Sequence, residues 1–450
     1  MILEVGQEYD LIIDRLGVNG EGVANLGGFV LFIEGALPQE KVRVKLYEKR
    51  KNFGRASIVK FLFKSESRQD PPCQLYDQCG GCQLMHFNYS SQLEFKRTCV
   101  VDAISRIAKI ENAPVRSCVP SPKELAYRNK IQMPATNQSP FQLGLYARQS
   151  HDLIPVDFCH IHCDLGEKIL ADVKKILKIA ACFSIKHVLI KTAVHTNEVL
   201  VILVTSKKDD EIFIPLGNKI FDDVPEIKGV VQNINPIENN VILSQTYRTL
   251  AGNGYIHDNM IGHRIKISAA SFFQVNPLQA EQLYLKAIEL CDLKKDEIAL
   301  DAYCGVGTLT LALAMNAKEV IGVECVSEAI INAKENANVN HIKNVKFVCS
   351  KSEEYIQQLV SNKKKIDVAL LNPPRKGCER QFLIELIKLS PQRIVYISCD
   401  PATLARDLQI LCSEGYVLNV AIPFDMFPQT AHVETIVRLS KSVVDVIASS

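Results

Sequence analysis

Short apolar runs separated by glycines fill the first sixty residues of the chain. The runs YDLIIDRL, FVLFI, KVRVKLYE and ASIVKFL are rich in β-branched and aromatic residues. In KVRVKL, Lys41, Arg43 and Lys45 alternate with aliphatic residues, which is the period of a strand with one buried face. Closely spaced strands with glycine turns predict a small β barrel over residues 1–64.

The pattern changes twice beyond this barrel. After a polar linker, KSESRQDPP, residues 92–110 predict an amphipathic helix, and a mixed α+β region follows. Beyond residue 265, apolar strands alternate with helices in the order typical of a parallel, helix-flanked sheet. We therefore expect an α/β protein of three domains, with the barrel at 1–64, a central α+β domain at 65–264 and a Rossmann-like domain at 265–450.

Composition narrows the class of protein. Of the 450 residues, 47% are hydrophobic and 23% charged, as in ordinary globular proteins. The first fifteen residues lack the basic start and apolar core of a signal peptide, and no apolar run is long enough to span a bilayer. The fifteen cysteines are scattered and odd in number, which favours a reducing compartment over a disulfide scaffold. We expect a cytoplasmic protein without a membrane partner.

The charge is unevenly distributed, although the formal net charge is only +2. Between Lys41 and Lys64 there are nine Lys or Arg residues and a single acid, Glu48. Tyr47 and Phe53 lie among them. Basic residues interleaved with aromatics attract phosphates and stack on bases, so this segment favours RNA binding over a merely solvated strand face.

A glycine-bearing turn opens the C-terminal region. The stretch EIALDAYCGVGTLTLALA predicts a strand, a turn and a helix, and Gly305 and Gly307 allow a ligand to approach the backbone closely. Asp301 ends the strand, and Glu324 ends the next strand, where a carboxylate can accept both hydroxyls of a ribose. The third glycine of the dinucleotide fingerprint is missing, so the pattern favours S-adenosylmethionine over NAD.

The stretch RIVYISCDPATLARDL predicts a strand that runs directly into Cys399. Asp400 suits the N-cap of the following helix, and Pro401 suits its first turn. Cys399 then lies at the edge where open α/β sheets bind ligands, and the positive end of the helix favours its thiolate. The alternative is a small buried hydrophobe, but the cap and the strand end favour a nucleophile. Glu434 starts a later β-type run and is a candidate base beside it.

Cysteines also cluster near the N-terminus, where CQLYDQCGGC contains Cys73, Cys79 and Cys82. A second polar cluster, DFCHIHC at 157–163, offers further metal ligands, namely Cys159, His160, His162 and Cys163. Zinc prefers two close pairs of ligands, whereas an iron–sulfur cluster needs four thiolates. The spacing alone leaves these two readings even. A redox disulfide between Cys79 and Cys82 is less favoured, because the thioredoxin-like context is absent.

Two family resemblances extend over nearly the whole chain. The stretch GVNGEGVANLGGFVLFIEGALPQEKVRV resembles the TRAM domain, a small OB-like β barrel that delivers RNA-modifying enzymes to RNA. The later motifs resemble those of the RNA uridine-5 methyltransferases, namely SFFQVN, DAYCGVG, the VE at 323–324, NPPRKG, ISCDPATLARDL and AHVET. This resemblance implies a class I methyltransferase domain that transfers a methyl group from S-adenosylmethionine to carbon 5 of a uridine in RNA.

The same resemblance implies roles for individual residues. Cys399 would be the nucleophile and Glu434 the base that removes the carbon 5 proton. The cofactor and target pocket would be lined, together with Asp301, Gly305 and Gly307, by Gln274, Tyr303, Glu324 and Asn372. Members of the family often have Asp at the last position. Members with a TRAM domain commonly hold a [4Fe–4S] cluster, here through Cys73, Cys79, Cys82 and Cys159, with Cys163 as the alternative fourth ligand.

The TRAM domain and the cysteines favour 23S rRNA over tRNA as the partner of a monomeric enzyme. An RNA cytosine-5 methyltransferase is the rival enzyme class, but its nucleophile usually follows Pro or Thr, whereas Ser398 precedes Cys399 here. An RNA-binding iron–sulfur protein without catalysis is the alternative outside the enzymes. The joint presence of the cysteine, Glu434 and the glycine turn disfavours it.

Overall fold

The computed structural model describes residues 3–136, 139–180, 184–239 and 241–442. Its N-terminal sheet has six strands, which are β1 (Glu8–Ile12), β2 (Arg15–Leu16), β3 (Gly22–Leu26), β4 (Phe29–Ile33), β5 (Lys41–Lys49) and β6 (Phe53–Phe63). They follow the spatial order β1-β5-β6-β4-β3-β2. The alternation predicted for β5 is present, because its basic side chains are exposed while Val42, Val44 and Leu46 are buried. The apolar faces enclose one core that includes Leu31.

A single long helix, α1 (Tyr89–Ala103), follows this sheet and continues into a π-helical turn at Ile104–Ala108. The helix is in the predicted place, but it is not amphipathic in the expected sense. Its buried face carries Gln92 and Lys96 beside Val100. These polar side chains are buried because partners from the far end of the chain satisfy them, which local periodicity cannot reveal.

The central region is built on a five-stranded sheet of order β13-β12-β11-β10-β7, with two separate hairpins, β8–β9 and β14–β15. Its elements are β7 (Lys130–Pro134), β8 (Gly144–Tyr146), β9 (Leu153–Pro155), α2 (Asp164–Ala180), β10 (Ile185–Thr192), β11 (Val199–Thr205), α3 (Asp210–Asp223), β12 (Ile227–Ile234), β13 (Tyr247–Gly252), β14 (Tyr255–Met260) and β15 (His263–Ser268). Helices α2 and α3 pack on one face of the sheet around Ile190, Val201 and Phe213.

The C-terminal region is a seven-stranded sheet of order β18-β17-β16-β19-β20-β22-β21. Its elements are α4 (Pro277–Cys291), β16 (Ile298–Ala302), α5 (Thr308–Ala314), β17 (Glu319–Glu324), α6 (Ser327–Val339), β18 (Val345–Cys349), α7 (Ser352–Ser361), β19 (Val368–Leu371), α8 (Arg380–Leu389), β20 (Arg393–Ser398), α9 (Pro401–Ser413), β21 (Tyr416–Phe424) and β22 (Glu434–Lys441). Strands β16 to β20 are parallel, whereas β22 runs antiparallel to both of its neighbours.

The central and C-terminal regions share a hydrophobic core. Leu200 and Ile202 of β11 lie in the same cluster as Ile265 of β15 and Leu283 of α4. The expected boundary between residues 264 and 265 falls inside β15, and the three domain boundaries stay a prediction. Among the described residues, every helix is too short or too polar to cross a bilayer.

A buried ion pair joins α1 to the C-terminal region. Lys96 Nζ lies 2.5 Å from Asp425 Oδ1, and both side chains are fully buried. We expect Lys96→Ala to lower the free energy of unfolding by about 3–5 kcal/mol, because Asp425 would keep a buried charge without a partner. Arg97→Ala on the same helix breaks only the solvent-exposed Arg97–Glu94 pair, so its effect should stay within about 0.5 kcal/mol. Urea unfolding of both variants beside the wild type measures the difference, and equal effects would contradict the prediction.

Candidate active site

Strand pairing brings Cys399 and Glu434 together. Strand β20 places Ser398 opposite Thr435 of β22. Cys399 and Glu434 lie directly beyond this pair, and they are close enough for the Glu434 charge to act on the Cys399 thiol. Because β22 is antiparallel, its first residue lies at the edge of the sheet where the parallel strands end. The expected position of Cys399 between a strand and a helix is observed, with Pro401 opening α9.

The thiol of Cys399 differs from expectation in its protonation. The carboxylate of Asp400 accepts hydrogen bonds from the backbone N–H groups of Ala402 (2.9 Å) and Thr403 (3.0 Å). The cap therefore takes up first-turn amides and adds a negative charge nearby. Burial and the proximity of Glu434 raise the pKa of Cys399 to about 11, although Arg375 acts in the opposite direction. The helix end was expected to favour the thiolate, but the desolvation of Cys399 acts in the opposite direction and outweighs it.

Glu434 is buried, and this burial raises the pKa of its carboxyl group to about 8. Tyr284 of α4 is close enough for the Glu434 charge to act on its pKa, and the phenol also lies near Asp301 and Gln274. Gln274 is thus brought into the neighbourhood of the proposed base. A carboxyl group with a pKa near neutrality is suited to proton transfer.

The predicted glycine turn lies two strands from Cys399, after β16. Gly305 has φ +55, and a Cβ built there would meet no atom within 4 Å, so there is open space beside the turn. The Gly305 N–H donates to Glu324 Oε2 (3.2 Å) at the end of β17. The hydroxyl of Tyr303 donates to Glu353 Oε1 (3.0 Å). Gly307, with φ +85, is the N-cap of α5. The two glycines and the neighbouring glutamates thus form a backbone cradle with an acidic rim, in which a ligand can bind.

Two further candidate residues flank this turn. Asp301 is buried, its Oδ2 accepts from the Thr310 hydroxyl (2.5 Å) and its Oδ1 has no partner. Burial raises the pKa of Asp301 to about 7. Asn372 follows β19, which lies between β16 and β20, and so stands between the glycine turn and Cys399. The open turn and the unpartnered oxygen of Asp301 fit a ligand that carries hydrogen-bond donors. S-adenosylmethionine is such a ligand.

A groove of about 990 Å³ leads to Cys399 from the N-terminal sheet. One wall comes from β2 and the turn after it, another from α1, and the end from Asp400 and the segment before β22. Two of its lining residues, His432 and Arg375, were not among the residues singled out from the sequence. His432 lies in AHVET and Arg375 in NPPRKG, two of the motifs that carry the family resemblance. This position in the motifs is the feature of the sequence that could have identified them.

The four cysteines predicted to bind metal line a second cavity, of about 210 Å³. Cys73, Cys79, Cys82 and Cys159 share it with apolar walls that include Met85. Burial is the main cause that raises the pKa of Cys82 to about 12, and the proximity of the other three thiols adds to the increase. The Gly81 N–H donates to the Cys79 sulfur at 3.4 Å.

Cys163 lies elsewhere, against Gly166 and Thr192. Of the two candidate fourth ligands, only Cys159 lines the cavity. Within the described ranges, no group of three or more His, Cys, Asp or Glu side chains is arranged to hold a metal ion. The four thiols nevertheless line one cavity.

Comparisons with known proteins place the chain in a family. A family model described as tRNA (Uracil-5-)-methyltransferase matches residues 145–442, and a TRAM domain model matches residues 3–59. The chain belongs to the tRNA (uracil-5-)-methyltransferase family. The family assignment confirms the resemblance drawn from the motifs and the TRAM domain at the N-terminus.

Relatives of this tRNA (uracil-5-)-methyltransferase family member match it over nearly their full length. The chain is 40% identical over 446 residues to a protein named as an uncharacterized RNA methyltransferase from Clostridium acetobutylicum, covering 96% of this chain and 97% of that one. A Staphylococcus aureus protein of the same description is 40% identical over 428 residues, with 93% and 94% coverage.

One solved structure is similar over the whole chain. It is the Pyrococcus abyssi tRNA (uracil-54, C5)-methyltransferase in complex with S-adenosyl-L-homocysteine, with a TM-score of 0.75 and 26% identity over 96% of this chain and 100% of that one. The predicted α/β fold with a Rossmann-like methyltransferase domain is thereby confirmed. The family member is an S-adenosylmethionine-dependent RNA methyltransferase.

The raised pKa of Glu434 predicts how stability varies with pH. A carboxyl group that keeps its proton in the folded protein stabilises it fully below the unfolded pKa of about 4.5 and loses that contribution as pH rises towards 8. Relative to the wild type, Glu434→Gln should therefore gain stability between pH 5 and 8, by at most roughly 5 kcal/mol, and then level off. Denaturant unfolding at several pH values checks this, and a difference independent of pH would refute it.

Proposed function

We propose that this enzyme methylates carbon 5 of a uridine in RNA, with Cys399 as the nucleophile and Glu434 as the base. The proximity of these two residues, which lie directly beyond the Ser398–Thr435 pair of β20 and β22, carries the proposal. The same edge of the sheet holds the Gly305 turn, so that a methyl donor and the two reactive side chains can approach one base. A base stacked within RNA is out of reach of both, and the target should be flipped out of the stack.

Carbon 5 of uracil is a poor nucleophile and needs activation. The Cys399 thiol first loses its proton to water. Its sulfur then bonds to carbon 6, and the electrons of the carbon 5–carbon 6 double bond move towards carbon 5 and oxygen 4. S-adenosylmethionine, when bound, supplies the electrophilic methyl group that the activated carbon 5 attacks. Arg375 lowers the pKa of Cys399 and would help to form the thiolate as the target base enters.

Glu434 completes the reaction by removing the proton from carbon 5. The electrons of that carbon–hydrogen bond restore the carbon 5–carbon 6 double bond, and the carbon–sulfur bond breaks, which releases Cys399 as the thiolate. The pKa of about 8 leaves part of the Glu434 population ionised near neutral pH. The same value makes the carboxyl group a stronger base than an exposed glutamate.

We propose that seven residues hold the methyl donor and the target. They are Gln274, Asp301, Tyr303, Gly305, Gly307, Glu324 and Asn372. The acidic rim would accept hydrogen bonds from the ribose and amino groups of S-adenosylmethionine. Asn372 carries an amide, which both donates and accepts and can therefore pair with the edge of a uracil.

We propose 23S rRNA as the RNA partner. The exposed basic face of β5 and the groove from the TRAM domain to Cys399 support an RNA substrate that contacts both regions. The choice of rRNA rests on the combination of the TRAM domain with the cysteine centre. A tRNA is the second candidate, because the solved Pyrococcus abyssi relative acts on tRNA.

The test is methyl transfer from labelled S-adenosylmethionine, under anaerobic conditions, to unmodified 23S rRNA and to unmodified tRNA in separate reactions. We expect label in 5-methyluridine from the rRNA, and we expect Cys399→Ala to reduce it by at least about a thousandfold. Label in 5-methyluridine from tRNA alone would make tRNA the substrate in place of 23S rRNA and would leave the proposed chemistry unchanged. Label in 5-methylcytidine, or full activity in Cys399→Ala, would overturn the mechanism.

We further propose that Cys73, Cys79, Cys82 and Cys159 hold a [4Fe–4S] cluster. In such a cluster each thiolate binds its own iron atom, so the ligands stand apart around a cavity instead of meeting at one ion. The shared cavity of the four thiols supports this reading over mononuclear zinc. The proposed reaction transfers no electrons, which leaves the cluster a structural or RNA-positioning role.

Serine variants distinguish the fourth ligand. Cys159→Ser should lower the iron content of anaerobically purified protein and its visible absorption, whereas the matched Cys163→Ser should leave both unchanged. Retention of a full cluster by Cys159→Ser together with loss in Cys163→Ser would assign the ligand to Cys163. Zinc instead of iron and sulfide in the wild type would reject the cluster.

We propose a cytoplasmic location, which the free cysteines of the described ranges support. The monomeric state stays a prediction.

A further inference from the structure

The loop between β21 and β22, residues 425–433, delivers Glu434 to the active site but is held largely by the N-terminal half of the chain. Lys96 of α1 pairs with Asp425 and also donates to the Phe427 carbonyl (3.1 Å). The hydroxyl of Tyr127 donates to the Pro428 carbonyl (3.1 Å). We call this segment the β21–β22 loop. Elements that precede it by some three hundred residues thus fix its path.

Gln429 is the point where these attachments converge. Its carbonyl accepts from the N–H groups of Gln83 (3.0 Å) and Leu84 (2.9 Å). Its own N–H donates to Gln92 Oε1 (3.1 Å), and its Oε1 accepts from Gln92 Nε2 (3.0 Å). Its Nε2 donates to the Glu124 carbonyl (3.3 Å). Each backbone and side-chain polar group of this one buried residue therefore has a partner outside its own loop.

The backbone of Gln429 has φ +70, a left-handed conformation that side chains other than glycine rarely adopt. Such a conformation persists where the surroundings over-determine it, and it tends to occur at functional sites. Here the reciprocal amide pair with Gln92 and the two amides on its carbonyl supply that constraint. The β21–β22 loop is held at this residue in one shape.

The attachment also reaches the cysteine cavity. Gln83 and Leu84, which bind the Gln429 carbonyl, directly follow Cys82. Tyr127, which binds the preceding residue of the loop, packs in the same cluster as Cys82 and Cys159. These hydrogen bonds therefore connect the wall of the cysteine cavity directly to the β21–β22 loop.

We propose that Gln429 is a positioning residue that couples the cysteine-bearing segment and α1 to the catalytic base, so that an ordered cysteine centre sets the position of Glu434. This inference rests on the proposed function, since it requires Glu434 to be the base. Only four residues separate Gln429 from Glu434, whereas Cys399 is carried by β20 and α9. Loosening Gln429 should thus impair removal of the carbon 5 proton more than addition of Cys399 to carbon 6.

The first test compares formation and release of the covalent RNA–protein adduct in Gln429→Gly, Gln92→Ala and Glu434→Gln. Gln429→Gly suits the left-handed backbone and removes only the side chain, and Gln92→Ala removes the reciprocal partner without touching the loop. The substrate is an unmodified 23S rRNA transcript, or tRNA where that RNA is methylated. Gln358→Ala, an exposed glutamine of α7, is the matched control.

We expect Glu434→Gln to trap the methylated adduct on denaturing gels. The Gln429 and Gln92 variants should release it at least about tenfold more slowly while forming it within about threefold of the wild-type rate. Equal slowing of both steps, or no change in release, would overturn the inference. If Glu434→Gln itself traps no adduct, the proposed role of the base fails instead, which distinguishes the two failures.

The second test measures hydrogen exchange of the β21–β22 loop without any turnover. In Cys82→Ser and Cys159→Ser, the amides of residues 430–433 should exchange faster than in the wild type, and in Cys163→Ser they should not. Faster exchange confined to residues 73–86, with the loop unchanged, would show that the cysteine centre does not control the loop and would overturn the coupling.

Discussion

The antiparallel placement of β22 between β20 and β21 is the constraint on which the active site depends. In a purely parallel sheet, residues that begin a strand lie at the edge opposite those that end one. A cysteine after one strand and a glutamate at the start of another would then be separated by the length of the sheet. Reversing β22 brings its first residue to the ligand-binding edge, and the pairing of Ser398 with Thr435 defines the register. A one-residue slip would turn Glu434 to the other face.

Burial is the second organising influence, and it acts on several groups in the same direction. It raises the pKa values of Cys399, Glu434 and Asp301 together. Near neutral pH the thiol therefore keeps its proton and the two acids are only partly ionised, so that charge has to be developed as ligands enter. A pocket that excludes water strengthens each electrostatic contact made inside it, so that the few charged neighbours, such as Arg375, count for more than they would in solution.

Much of this arrangement could be predicted from the sequence, because it is encoded locally. Strand ends, the Gly305 turn and the Asp400 cap depend on residues within one or two turns of each other, and each is present. The buried polar face of α1 could not be predicted, since Lys96 pairs with Asp425 and Gln92 pairs with Gln429, both more than three hundred positions away. The same holds for the thiol of Cys399. The helix beside Cys399 could be predicted, but the desolvation of the thiol depends on the packed tertiary structure.

The attachment of the N-terminal half to β21 has a consequence for how the chain matures. Val115 and Val119 form parallel bridges with Ala421 and Phe424, so an early segment covers the edge of the last sheet to be synthesised. During translation the segment with Val115 and Val119 is synthesised first, and it can pair only after β21 has been synthesised. A catalytic half made alone would expose β21 as an open edge strand, which invites pairing with other chains. The N-terminal half thus covers an edge strand that would otherwise be open to such pairing.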